Sequence, residues 1–195
     1  MGKITNEEEA MEAVKYQDCG IEHVPENLIT AEVCRAAMQK CWWAFEDVPE
    51  NLKTAELCLE AVKKDGRTLR FVPKNLKTAE LCLEAVRQNG MALVYVPENL
   101  KTAKLCLEAM KQDGTALQYV PLELRTAELC LEAVDQQYGM ALQYVPENLK
   151  TVELCLKAAK RMFEKVLVNF LGVPEELQEE VRSRAGLIAK NETYP

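Results

Sequence analysis

Residues 49–62 read PENLKTAELCLEAV, residues 73–86 read PKNLKTAELCLEAV, and residues 97–110 read PENLKTAKLCLEAM. Working outward, the same wording returns along the chain: Pro25, Pro49, Pro73, Pro97, Pro121 and Pro146 mark it, followed by Thr30, Thr54, Thr78, Thr102, Thr126 and Thr151. Cys34, Cys58, Cys82, Cys106, Cys130 and Cys155 keep step, at a spacing of 24 residues that lengthens to 25 only at the last interval. A fixed period of about 20–50 residues is the signature of a stacked repeat architecture. The first residues join the pattern, with Ile4 in the place of Leu52, Asn6 of Thr54, and Ala13-Val14 of Ala61-Val62. Seven units follow, at 1–24, 25–48, 49–72, 73–96, 97–120, 121–145 and 146–172, with a C-terminal cap at 173–195.

Each unit reads as one longer and one short helix. Thr54 is placed to cap a helix whose free first-turn N–H groups its hydroxyl can satisfy, and Glu56 suits the positive end of the helix dipole. AELCLEAVKKD is about three turns long. Gly66 reads as a left-handed helix stop. The piece RTLRFV has room for one or two turns, α or 3₁₀, before Pro73 biases Val72 away from helix. Leu57, Cys58, Ala61 and Val62 form one apolar stripe, widened by Leu59 and closed by Leu52, Leu69 and Val72. One such unit cannot bury this stripe alone, so neighbours must stack. The fold class expected is all-α: a right-handed α-solenoid of about seven 24-residue repeats in a single domain, 1–195.

This register explains six of the eight cysteines as one core position in successive layers, each acting as a small hydrophobe. Stacked helices about 8–10 Å apart do not bring such cysteines within disulfide reach. Free thiols in that number imply a reducing, cytoplasmic setting. Cys19 and Cys41 stand off the ladder and are read as exposed or half-buried thiols. The irregular Cys41-Trp42-Trp43 replaces the usual Asp/Asn-Gly stop; Trp42 resists a left-handed turn, so a different bend is expected there, with one tryptophan partly exposed. An insertion near Asp135–Tyr138 lengthens one helix end. RMFEKVLVNFLGV is apolar enough to cover the last layer, and the more polar EELQEEVRSRAGLIAK can face water.

PENLKTAELCLEAV followed by G-x-A-L-x-Y-V resembles the repeats of an uncharacterised bacterial domain family that carries an A-L-x-x-V-P-x-x-L pattern. The resemblance spans about residues 1–160. The layout is also similar to the leucine-rich-repeat variant solenoid, although the cysteine cluster that holds an iron–sulfur centre ahead of those repeats is missing here. Neither resemblance implies a catalytic motif or a cofactor; both imply an interaction scaffold.

The inventory of chemistry is short. A chain of net charge −7 without a basic stripe is not expected to bind nucleic acid. No apolar run reaches the roughly 20 residues of a membrane helix. His23 is the single histidine, standing where other units have Phe71, Tyr95, Tyr119 and Tyr144, and is expected to pack rather than catalyse. No phosphate-binding glycine loop or zinc spacing is present, and neither an enzyme nor a metal or cofactor site is expected. Glutamate pairs such as Glu56 and Glu60 recur from unit to unit as a solvated face, with Glu60 placed to pair with Lys63 or Lys64 and Glu84 with Arg87. Lys53, Lys77, Lys101, Arg125 and Lys150 form a basic column.

What varies between units is the short helix. One column runs Trp43, Arg67, Met91, Thr115, Met140; three residues on, a second runs Glu46, Arg70, Val94, Gln118, Gln143. Positions i and i+3 share a face, and repeat proteins bind partners along such faces. The expected function is a non-catalytic scaffold for a protein or peptide, contacted by Trp43, Arg67, Arg70, Met91 and Val94 and extended by Thr115 and Gln118. The alternative is a structural segment of a larger bacterial, host-directed protein whose activity lies elsewhere. The sequence leaves oligomeric state open, with a monomer favoured.

Overall fold

A computed structural model describes residues 4–16, 20–136, 140–161 and 172–184. It is all-helical, with no strand among the described residues, and its repeats stack in the manner of an α-solenoid. It comprises two compact units, 1–100 and 101–195. The first holds α1 (Glu7–Tyr16), α2 (Ala31–Lys40), α3 (Ala55–Lys64) and α4 (Ala79–Gln88). The second holds α5 (Ala103–Gln112), α6 (Ala127–Gln136), α7 (Val152–Arg161) and α8 (Glu175–Arg184).

Every α-helix of the repeat begins where the threonine stands. The hydroxyls of Thr30, Thr54, Thr78, Thr102, Thr126 and Thr151 accept the backbone N–H three residues on, at 3.2–3.3 Å. Asn6 does the same for α1 through Glu9 N–H at 2.9 Å, and Glu9 reaches back to Thr5 N–H at 2.7 Å, much as in a capping box. At the other end Asp65, Asn89 and Asp113 take extended backbone with φ of −152°. Their side-chain oxygens accept the N–H of Arg67, Met91 and Thr115 at 2.9–3.0 Å. That turn launches 3₁₀ segments Gly66–Phe71, Gly90–Tyr95 and Gly114–Tyr119, each two turns long. A second 3₁₀ turn then follows each proline, as at Lys74–Leu76, where Leu76 N–H donates to Pro73 O at 3.0 Å. A repeat is therefore one α-helix and two 3₁₀ pieces, one piece more than the sequence suggests.

The glycines are not left-handed stops. Among the described residues only Gly172 has positive φ, at 67°. Gly66 instead packs on the next repeat: a Cβ there would lie 2.2 Å from the carbonyl oxygen of Ala85 in α4, and at Gly114 one would lie 2.0 Å from that of Ala133 in α6. The requirement is close backbone approach, which only a missing side chain allows.

The core follows the stripe with one exception. Leu57, Cys58, Ala61, Val62, Leu69 and Val72 are buried and Leu52 is half-buried, whereas Leu59 is 37% exposed and faces away from its neighbours. The basic column is likewise not a solvated one. Lys53 is only 7% exposed, with its Nζ 2.8 Å from Glu50 and 5.6 Å from the Phe45 ring centre. Within the first unit Lys77 Nζ donates to Tyr95 O at 3.0 Å. Within the second, Lys101 donates to Tyr119 O at 2.9 Å, Arg125 to Tyr144 O at 2.8 Å and Lys150 to Gly172 O at 2.7 Å. Lys77, Lys101 and Arg125, each standing just before an α-helix, thus cap the C-terminal carbonyl of the 3₁₀ segment after that helix. Burial lowers the pKa of Lys77 from its ordinary value.

The six ladder cysteines are buried and free. Burial pushes the thiols of Cys34, Cys58 and Cys82 up to about 11, and those of Cys130 and Cys155 upward as well. Cys41 departs from the expectation of a free thiol: it is half-buried and disulfide-bonded. Cys19, Gln137, Tyr138, residues 162–171 and residues 185–195 lie outside the described residues, so the apolar half of the cap and the inserted turn do too.

Candidate functional site

The variable side chains of the first unit project from three consecutive 3₁₀ segments: Trp42–Phe45, Gly66–Phe71 and Gly90–Tyr95. A 3₁₀ helix has three residues per turn, so i and i+3 stand one above the other. Arg67 with Arg70, and Met91 with Val94, therefore share an edge. Trp43 is 52% exposed and Val94 40%; Arg67 and Arg70 are exposed and Met91 is half-buried. The first and second segments pack together, as do the second and third, which brings Trp43, Arg67, Arg70, Met91 and Val94 onto one unit.

Trp42 organises the front of this strip. It holds the place of Gly66 one repeat earlier, and the backbone does not bend differently to admit it: Cys41 takes φ −136° and ψ 119°, close to −152° and 118° at Asp65. α2 packs on α3 less closely than α3 on α4. Polar side chains span the wider seam, with Lys64 Nζ 3.1 Å from Met38 O and Arg35 Nε 2.9 Å from Glu60 Oε2. Glu60 thus pairs across repeats, not with Lys63 or Lys64 along its own helix. Trp42 stacks on Phe71 at 6.2 Å and meets Trp43 edge-on at 6.0 Å. The Arg67 guanidinium lies 4.3 Å above the Trp42 ring centre, and that of Arg70 lies 5.3 Å from the Phe71 ring centre. Arg67 also clasps both carboxylate oxygens of Asp65, at 2.6–3.1 Å. That grip holds the Asp65 carboxyl below the usual carboxylate range.

In the second unit the corresponding residues turn to local work. Thr115 is half-buried and its hydroxyl bonds Asp113 at 2.6 Å, while Gln118 Nε2 donates to Thr115 O at 3.1 Å. Met140 is 45% exposed, and Leu122, standing where most repeats have glutamate, is 69% exposed. Trp42, Phe71 and Leu122 were not singled out by variation in the two columns; Leu122 and Lys74 could have been found by extending the comparison to the residue after each proline.

Catalytic geometry is sparse among the described residues. His23 is well exposed with Glu22 3.7 Å away. No group of three His, Cys, Asp or Glu side chains is placed to hold a metal ion. No helix among the described residues is long and apolar enough to cross a membrane.

A family model, described as a domain of unknown function (DUF4116), matches residues 54–101, 78–125 and 104–150. Each match spans two of the repeats, and successive matches are offset by about one repeat, which supports a repeat-domain family of uncharacterised function. No curated protein and no solved structure matches the chain.

Proposed function

We propose that the protein is a non-catalytic scaffold that binds a protein or peptide along the 3₁₀ edges of its first unit. The observation that carries this reading is the exposure of Trp43, Arg67, Arg70 and Val94 on 3₁₀ segments that pack against one another. Tryptophan and arginine are enriched in interface hot spots, and here neither is consumed by the core. Met91 flanks the strip, and Thr115 with Gln118 would extend it only by shedding their local hydrogen bonds. A reducing compartment such as the cytoplasm belongs to the same reading, supported by six free core thiols; the Cys41 disulfide is the observation that pulls against it.

The test is quantitative capture of proteins from host extract by the wild type and by a Trp43→Ala, Arg67→Glu, Val94→Glu variant with an unchanged melting temperature. A protein retained by the first and lost by the second supports the strip; equal retention by both moves binding elsewhere. A second reading, a structural repeat segment within a larger bacterial protein, is equally compatible with the repeat-domain matches. It predicts that neither form retains a specific protein.

A further inference from the structure

The segment 63–77, KKDGRTLRFVPKNLK, holds six of the chain's 24 basic residues and one of its 31 acidic ones, a local charge of +5 in a chain of −7. The excess comes from substitutions within the repeat, not from its common wording. Lys74 stands where Glu26, Glu50, Glu98 and Glu147 stand in other repeats, and Arg70 where they have Glu46, Val94, Gln118 or Gln143. Lys74 and Arg70 are both exposed, and neither has an ion-pair partner among the described residues. The two arginines lie over aromatic rings, Arg67 on Trp42 at 4.3 Å and Arg70 on Phe71 at 5.3 Å. A guanidinium stacked in this way keeps its in-plane N–H donors free for a carboxylate. Arg67 already displays that chemistry, gripping Asp65 through Nε and Nη2. Arg70 repeats the arrangement without a carboxylate, on a segment that packs against the one bearing the exposed Trp43.

We propose that this cluster docks an acidic segment of a partner protein, placing a carboxylate on Arg70, acidic neighbours against Lys74, and one apolar side chain against Trp43. The inference rests on the scaffold reading above and names the chemistry of its partner. Charge complementarity selects an acidic peptide over a nucleic acid, because the rest of the chain carries 18 basic and 30 acidic residues and would repel a phosphate backbone leaving the island. Complementary charge of this kind also speeds association and makes it sensitive to salt.

The test is selection of a displayed library of random short peptides on the immobilised full chain, then fluorescence anisotropy with the enriched peptide. The expected result is enrichment of peptides with Asp or Glu flanking an aromatic or aliphatic residue. Their affinity should fall with added salt, and by about tenfold or more in an Arg70→Gln, Lys74→Gln variant. Both positions are exposed, and an unchanged melting curve checks the fold. Enrichment of neutral or basic peptides that Trp43→Ala releases would overturn the acidic partner and leave the scaffold reading standing. If no enriched peptide responds to any substitution on the strip, both fall. Tighter binding of homopolymeric RNA or phosphatidylserine vesicles, abolished by the same variant, would overturn the proposal in favour of those ligands.

Discussion

Gly66 and Trp42 hold the same place in neighbouring repeats, and the backbone enters both from an extended residue. At Gly66 the absent side chain lets the 3₁₀ segment rest on the Ala85 carbonyl of α4, where a Cβ would come within 2.2 Å. At Trp42 the ring becomes a platform for Arg67 and Phe71. The cost of a side chain at Gly66 is therefore steric, since its φ lies outside the left-handed range. Gly66→Ala should destabilise the protein by about 3 kcal/mol, read from urea unfolding, because backbone in a packed seam yields poorly. Thr68→Ala is the comparison. It removes a hydroxyl bonded at 2.6 Å to Asp65 O and puts in the alanine that Ala92, Ala116 and Ala141 supply in other repeats. It should cost about 1 kcal/mol. A loss at Gly66 no larger than that at Thr68 would reject the close-packing role.

At the scale of elements, the repeats built on α4 and α5 are each a closed circuit: threonine cap, α-helix, Asx turn, 3₁₀ segment, proline turn, and a basic residue returning to a 3₁₀ carbonyl. Lys77 is the clearest closure in the first unit, since Tyr95 O accepts its ammonium at 3.0 Å. Lys77→Met keeps the stem and leaves that carbonyl without its charged donor, so it should cost about 1–3 kcal/mol. Lys77→Arg should be nearly neutral, because Arg125 does the same work in the second unit with bonds to Gln118, Val120 and Tyr144 carbonyls. Equal loss in both variants, measured by denaturant midpoint, would show that packing rather than carbonyl capping matters. The circuit was only partly legible in the sequence. Threonine caps and the apolar stripe follow from periodicity, which is local and repeated. The burial of Lys53 and its relatives was not legible, because a lysine after N-L reads as solvated until the chain curls back over it. The glycines misled for a similar reason: a helix stop is the default for Gly after Asp or Asn, whereas here the constraint comes from the next repeat. For the candidate strip, the exposure of Trp43 and Val94 follows from their place in the variable columns. The inward turn of Thr115 depends on its short hydroxyl bonding Asp113 at 2.6 Å, whereas the longer Arg67 meets Asp65 through its guanidinium and stays exposed.

At the scale of the whole molecule, the cysteines set how the fold responds to alkali. The unfolded chain releases each ladder proton near the ordinary thiol value of 9.0, while burial holds Cys34, Cys58 and Cys82 protonated to about 11. Cys130 and Cys155 shift in the same direction. Between these values the folded state binds more protons than the unfolded one. The thiols' contribution is therefore complete below pH 9 and is lost as pH rises through about 11, at up to about 1.4 kcal/mol per pH unit for each thiol. Lys77 acts in the opposite sense, because its lowered pKa leaves the unfolded chain holding the extra proton, but it is one group against several. The urea midpoint should accordingly fall steeply from pH 9 to 11, and a Cys58→Ala, Cys82→Ala variant should fall less steeply. The variant starts lower, since each substitution leaves a small void in the core. The slope with pH, rather than the starting value, reports the thiols, because tyrosine and lysine titration elsewhere is common to both chains. Parallel slopes would mean that the ladder thiols ionise in the folded protein as readily as in the unfolded one, and the dry core that the register of cysteines implies within each unit would have to be abandoned.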